Sequence, residues 1–211
     1  MTLTSAQLAR ASQSARAWQS ARMLEPLRHA RLWDAPSDAA GMVSQRHVLQ
    51  NAGEQVTVML GGNGSGKTQA AMQLGVAVAL GRESAAAQAW CRDNGIDAAR
   101  LPRTSRGYTG RVLVSALTHD DSLRYHRPKV EEYLPVGSKW RNRYAQDEAS
   151  VILPGGGLIV FKANRQGREA YQGDAFDLII LDEEHDEDVY GECLMRVGRR
   201  HNSHILMTMT P

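Results

Sequence analysis

The octapeptide Gly61-Gly62-Asn63-Gly64-Ser65-Gly66-Lys67-Thr68 runs Gly, four residues, then Gly-Lys-Thr, the pattern of a phosphate-binding loop. The chemistry asks for these residue types. Glycines let successive backbone N–H groups turn inward into an anion-binding nest that a β-carbon would obstruct. A helix N-terminus at the end of the loop adds partial positive charge. Lys67 can reach the β- and γ-phosphates of a nucleotide such as ATP, and the Thr68 hydroxyl can ligate Mg2+. The flanks agree. Gln55-Val-Thr-Val-Met-Leu60 reads as a short buried strand. Thr68 to Leu80 (TQAAMQLGVAVAL) is rich in helix formers, with Gly81 where a C-cap belongs. A glycine-rich turn with an incidental lysine would need neither flank.

A phosphate loop is half a site, because the metal also needs a carboxylate at the carboxyl end of a neighbouring strand. Asp182 stands there, directly after the apolar run Leu178-Ile-Ile-Leu181. Glu183 follows, and a carboxylate beside the metal ligand can orient and deprotonate the attacking water. This reading makes Thr68 and Asp182 the metal ligands and Glu183 the general base. Glu184, Asp186, Glu187 and Asp188 continue the acidic run. The last three suit the N-terminus of the next helix, where negative charge is stabilising. His185, His201 and His204 do not offer the spacing of a tetrahedral zinc site.

The rest of the chain alternates strands and helices, which implies an α/β domain with a mostly parallel sheet covered by helices on both faces. The further strands are expected at Arg111–Ala116, Asp177–Leu181 and His204–Thr208. A hairpin is expected from Ala149–Leu153 and Leu158–Lys162 around Pro154-Gly155-Gly156-Gly157. Helices are expected at Ala85–Cys91, His119–Leu134 with an interruption at Pro128, and Glu187–Arg200. Residues 164–176 read as a polar loop. Gln45, upstream of the loop, is a candidate adenine reader, since an amide can donate and accept at once; Gln50 competes for that role. Residues 3–32 read as one or two helices broken near Pro26, bearing Arg10, Arg16, Arg22, Arg28 and Arg31.

At 211 residues and a net charge of +2, the chain has room for one substantial core, and its overall charge names no partner. Residues 100–143 hold ten Lys/Arg against four acids, which suits either a nucleic-acid path or a solvated face. Cys91 and Cys193 are too few for a disulfide framework and suit a reducing compartment. No apolar run is long enough to span a bilayer, and no signal peptide is seen.

Four segments together resemble the ATPase domain of tailed-bacteriophage terminase large subunits, the motors that package viral DNA. They are GGNGSGKT at 61–68, RVLVSALTHDDS at 111–122, GREAYQGDAFDLIILDEEHDEDVYGE at 167–192 and ILMTMTP at 205–211. The third is the most specific: a Gly, an Asp-led apolar strand, Asp-Glu-Glu, then a helix opening acid-Val-Tyr. The resemblance spans about residues 42–211. It implies a P-loop NTPase core of the ASCE (RecA-type) class at 41–211, preceded by an N-terminal helical segment and linker at 1–40. It further implies double-stranded DNA, a portal protein and a small terminase subunit as partners, a pentamer on the portal, and the cytoplasm of the infected bacterial host. Thr208-Met209-Thr210 resembles the motif coupling hydrolysis to movement, with Thr210 sensing the γ-phosphate.

The chain departs from the family pattern in three places. Asn63 stands where many members have Arg, and Gln172 stands before Gly173 where some have Arg. Hydrolysis still calls for positive charge on the γ-phosphate, so Arg168, then Arg165, are the nearest replacements, acting in cis or from a neighbouring subunit. The sequence ends at Pro211, so the nuclease domain of such terminases, and its cutting activity, are expected to be absent. Asp182-Glu183-Glu184-His185 also fits the DExH box of a DNA-dependent helicase, which would need a second RecA-type domain. A nucleotide-binding assembly module with little activity of its own is a further alternative.

Overall fold

The computed structural model describes residues 26–32, 44–51, 55–102, 109–143, 148–197 and 203–211. Its strands are β1 (Val56–Leu60), β2 (Arg111–Ala116), β3 (Lys139–Arg143), β4 (Glu148–Ile152), β5 (Leu158–Ala163), β6 (Leu178–Asp182) and β7 (His204–Met209). They form one sheet in the order β1-β7-β6-β2-β5-β4-β3. The first five in that order are mutually parallel, and β3 and β4 add an antiparallel edge. The α-helices longer than one turn among the described residues are α1 (Gln45–Asn51), α2 (Lys67–Leu80), α3 (Ala85–Asp93), α4 (Arg127–Glu131) and α5 (Glu187–Val197). With β7 lying between the loop-bearing β1 and the acid-bearing β6, this is the P-loop ASCE fold.

The continuous apolar run of β6 has a simple cause. Side chains alternate across a strand, and both faces of this sheet are covered. Leu178 and Ile180 enter the core that contains α2, while Ile179 and Leu181 enter the core that contains α5. The same parity divides Val112 and Val114 from Leu113, and Leu206 from Ile205. Burial on two sides removes any need for polar alternation. Helix α2 is buried almost all round, so it too lacks a polar stripe. Gly75 lets it sit directly over Ile180 and Val112, which sets its N-terminus above the carboxyl ends of β6 and β7.

Several sequence expectations are revised. β1 is an edge strand among the described residues, and Val58 and Leu60 are 46% and 65% exposed, so it is not a buried strand. Helix α1 and strand β3 have no counterpart in the sequence reading. The helix expected over His119–Leu134 ends at Glu131 and contains a π-helical stretch, Ser122–His126, before α4. Its irregularity therefore precedes Pro128, which sits in the first turn of α4, where a missing N–H costs nothing. The loop at 164–176 holds two 3-10 turns, Asn164–Gln166 and Arg168–Tyr171, and buries Tyr171 and Phe176.

The Pro26–His29 3-10 turn precedes Leu32, and Leu27 and Leu32 join the same core as α2. Arg31 pairs with Asp93 at 2.9 Å, and the Leu32 N–H donates to Asn94 at 2.8 Å. The expected helices over residues 3–25 and the linker at 34–38 lie outside the described residues, as do residues 198–202.

The β4–β5 turn tucks under the end of α2, and a Cβ at Gly157 would run into the carbonyl oxygen of Ala79. Replacing Gly157 with Ala forces backbone to move, so it should cost about 1–3 kcal/mol, read as a lower urea midpoint at unchanged m-value.

Candidate active site

The loop leaves β1 at Gly61, whose N–H donates to Met209 O on β7 at 3.1 Å. Gly66, at φ 77°, opens α2, and a Cβ there would strike the Gln45 side-chain amide. The Gln45 amide nitrogen donates to Ser65 O at 2.6 Å. Gln45, Val48, Met59 and Leu60 border a cleft of about 520 Å3, lined along the loop by Gly61, Gly62, Gly64, Ser65, Gly66 and Lys67. Lys67 is buried and donates to Gly61 O at 2.6 Å, Gly62 O at 3.2 Å and Thr210 Oγ1 at 3.3 Å. Asn63 Oδ1 lies 3.5 Å from the same hydroxyl.

Strand parity explains where the acids go. Asp182 lies on the α2 face with Ile180, and so meets the first turn of α2. The Thr68 hydroxyl lies 3.1 and 3.2 Å from the two Asp182 oxygens. Thr208, paired across the strands with Asp182, is fully buried and donates its hydroxyl to it. His126, delivered by the π-helical stretch, places Nε2 at 2.7 Å from Asp182 Oδ2. Burial alone would raise the Asp182 carboxyl, but the hydrogen bond and charge of His126, with the Thr208 and Thr68 hydroxyls, hold it below the ordinary value. Thr68 and Asp182 thus present a hydroxyl and an ionised carboxylate side by side, hard oxygen donors of the kind Mg2+ takes. The residues present fit that ion.

Glu183 is the one non-glycine residue with positive φ, 67°, among the described residues. Such a conformation costs on the order of 1–3 kcal/mol and persists only where the surroundings over-determine it. Here its N–H donates to Thr208 O at 2.7 Å. Its carboxylate accepts from the Thr210 N–H at 3.2 Å and the Thr210 hydroxyl at 2.9 Å. Thr210 therefore stands between Lys67 and Glu183, touching both.

Lys67, Thr68, Asp182, Glu183, Thr208 and Thr210 are thus one cluster, with Gln45 and Asn63 at its loop side. Arg168 is not part of it. Arg168 opens the 3-10 turn Arg168–Tyr171 that follows β5. Its Nε donates to buried Glu192 at 3.0 Å, and its side chain is 51% exposed. Arg165 is also exposed. Sequence reasoning missed His126, whose signal would have been a helix too irregular to lock onto its own period. It also set His185 aside. The His185 ring bonds to the Glu183 carbonyl at 3.0 Å and to Ser115 Oγ at 2.7 Å. No cluster of three or more His, Cys, Asp or Glu side chains suited to a metal occurs among the described residues.

The family profile "Terminase large subunit, T4likevirus-type, N-terminal" matches residues 58–211, most of the chain. The chain belongs to this family. Among solved structures, the large terminase of a thermophilic bacteriophage is similar at a TM-score of 0.51 and 12% identity, over 79% of this chain and 37% of that one. A mutant of the large terminase ATPase domain of Thermus phage P74-26 is similar at 0.46 and 17%, over 79% of this chain and 64% of that one. The first of these terminases, in complex with ATP-gamma-S, is similar at 0.45 and 11%, over 78% and 36%. At 12% identity the likeness to the first of these is one of fold alone. This terminase-family chain spans 37% of the length of the thermophilic phage protein. No curated protein matches it. No helix among the described residues is long and apolar enough to cross a membrane.

Acid should loosen this site in this terminase-family domain. Burial lowers the His185 pKa from 6.5, against the opposing hydrogen bond to Glu183 and the charges of Asp182 and Asp186. The unfolded chain then binds the proton first as pH falls. The stability linked to His185 is in place above pH 6.5 and is lost as pH drops through the lower folded value. Thermal midpoints measured from pH 8 down to about 5 should fall less steeply in His185→Gln than in wild type.

Proposed function

We propose that this chain is an ATP-hydrolysing motor domain that drives double-stranded viral DNA into a procapsid. The observation that carries the reading is the approach of Thr68 to Asp182 at 3.1 Å, with Lys67 and Glu183 both bonded to Thr210. A triphosphate laid along Gly61–Thr68 would meet the loop N–H groups and Lys67, with adenine in the cleft beside Gln45. Thr68 and Asp182 would hold Mg2+, which when bound neutralises phosphate charge. Glu183, aimed by Thr210, would take the proton of the attacking water. The Thr208-Met209-Thr210 segment touches the metal ligand through its first residue and the base through its last. It is therefore suited to pass the state of the γ-phosphate to β7.

The positive charge that the γ-phosphate needs comes, in this reading, from Arg168 or Arg165 of a neighbouring subunit in a pentamer. The exposure of both arginines supports a contact in trans. Double-stranded DNA, a portal protein and a small subunit complete the machine, in the cytoplasm of an infected bacterium. The full packaging activity belongs to such an assembly.

Two variants test the site. Glu183→Gln should bind a fluorescent ATP analogue as wild type does while hydrolysis falls by a factor of about 100 or more. Lys67→Ala should instead weaken binding. Normal turnover by Glu183→Gln would remove Glu183 as the base. A finger supplied in trans predicts ATPase activity that climbs faster than linearly with protein concentration and is stimulated by duplex DNA. Strictly linear, DNA-independent turnover would contradict it.

A further inference from the structure

On the face of the sheet opposite α2, a directed chain of hydrogen bonds ends at the backbone of Glu183. The Glu183 carbonyl can only accept, so His185 Nδ1, at 3.0 Å, must carry a proton. In the neutral ring Nε2 is then the acceptor, and Ser115 Oγ donates to it at 2.7 Å. Ser115 in turn accepts from the Tyr171 hydroxyl at 2.5 Å. Ser115 and Tyr171 are both buried, so water does not compete for these groups. The two peptide groups that flank Glu183 are therefore both pinned: its N–H to Thr208 O, its C=O to His185. Those two bonds bracket the left-handed residue. Tyr171 closes the 3-10 turn that Arg168 opens, so the turn and the Glu183 backbone are fastened to one side-chain chain.

We propose that His185 is a positioning residue: its Nδ1–H holds the Glu183 carbonyl, fixing the left-handed backbone that aims the Glu183 carboxylate at Thr210, while Ser115 and Tyr171 hold the ring in the required tautomer. This rests on the reading of Glu183 as the base. Asp182 is held from the other face of the sheet by Thr68, Thr208 and His126, so losing His185 leaves the metal ligand and the nucleotide-binding loop in place.

The test separates the ring's donor from its bulk. In His185→Asn the side-chain amide can reach the place of Nδ1; in His185→Gln it reaches only the place of Nε2; His185→Leu offers neither. His185→Leu and His185→Gln should lose roughly tenfold or more in kcat with the affinity for ATP unchanged, and His185→Asn should recover most of that loss. Tyr171→Phe should fall between. Equal impairment of Asn and Leu variants, or a wild-type kcat in His185→Leu, would overturn the proposal. A second measurement needs no hydrolysis. The Glu183 13Cα and 13Cβ shifts, read by NMR on the folded chain, should mark left-handed backbone in wild type and His185→Asn and lose that mark in His185→Leu. Shifts unchanged in His185→Leu would sink the inference whatever the kinetics. If the wild-type chain hydrolyses no ATP at any concentration, with or without DNA, the motor reading fails, and the NMR comparison still decides whether His185 holds Glu183.

Discussion

Everything in the site depends on one approach, the Thr68 hydroxyl against the Asp182 carboxylate at 3.1 Å. It joins the first turn of α2 to the end of β6, two elements more than a hundred residues apart in sequence. The parallel sheet makes this possible. Parallel strands bring their carboxyl ends to one edge, and the loop leaving β1 must return there as a helix N-terminus. The first turn of α2 and the end of β6 then meet directly, through Thr68 and Asp182. A buried carboxylate without partners would take up a proton. Three side chains, His126, Thr208 and Thr68, donate to Asp182 and favour its charged form.

Glu183 sits on the boundary between the two faces of the sheet. Its neighbour Asp182 belongs to the α2 side, whereas His185, Ser115 and Tyr171 belong to the α5 side. The backbone at Glu183 is left-handed, directly after the last residue of β6. Strain of this size survives because Thr208, Thr210 and His185 hold the residue's N–H, carboxylate and carbonyl separately. The last strand therefore touches both acids, the Asp182 carboxylate through the Thr208 hydroxyl and the Glu183 N–H through the Thr208 carbonyl.

Much of this was legible beforehand. The octapeptide, the β6 run and the acidic pair carry their chemistry in residue type and spacing, and β2, β4 and β5 stand almost where the apolar runs put them. Other features were not legible for physical reasons. β1 looks like a core strand because its residues are β-branched and apolar, yet β1 has only β7 as a partner among the described residues. β3 reads as a charged stretch because it is an edge strand among the described residues, with Lys139 and Arg141 exposed. The π-helical stretch at Ser122–His126 has no propensity signature; it is the register shift that lets His126 reach Asp182.

The residues alone determined that this chain carries the sequence pattern of a phosphate-binding loop, two consecutive acids at a strand end, and a parallel α/β sheet to present them. Those features are local, encoded in glycine spacing, strand-end carboxylates and alternating apolar runs. Only the folded chain decided which histidine reaches which acid, that Thr210 lies between Lys67 and Glu183, and that Arg168 turns to Glu192 rather than to the loop. Such pairings depend on strand order and side-chain parity across a sheet, and neither is written in any single stretch of the sequence.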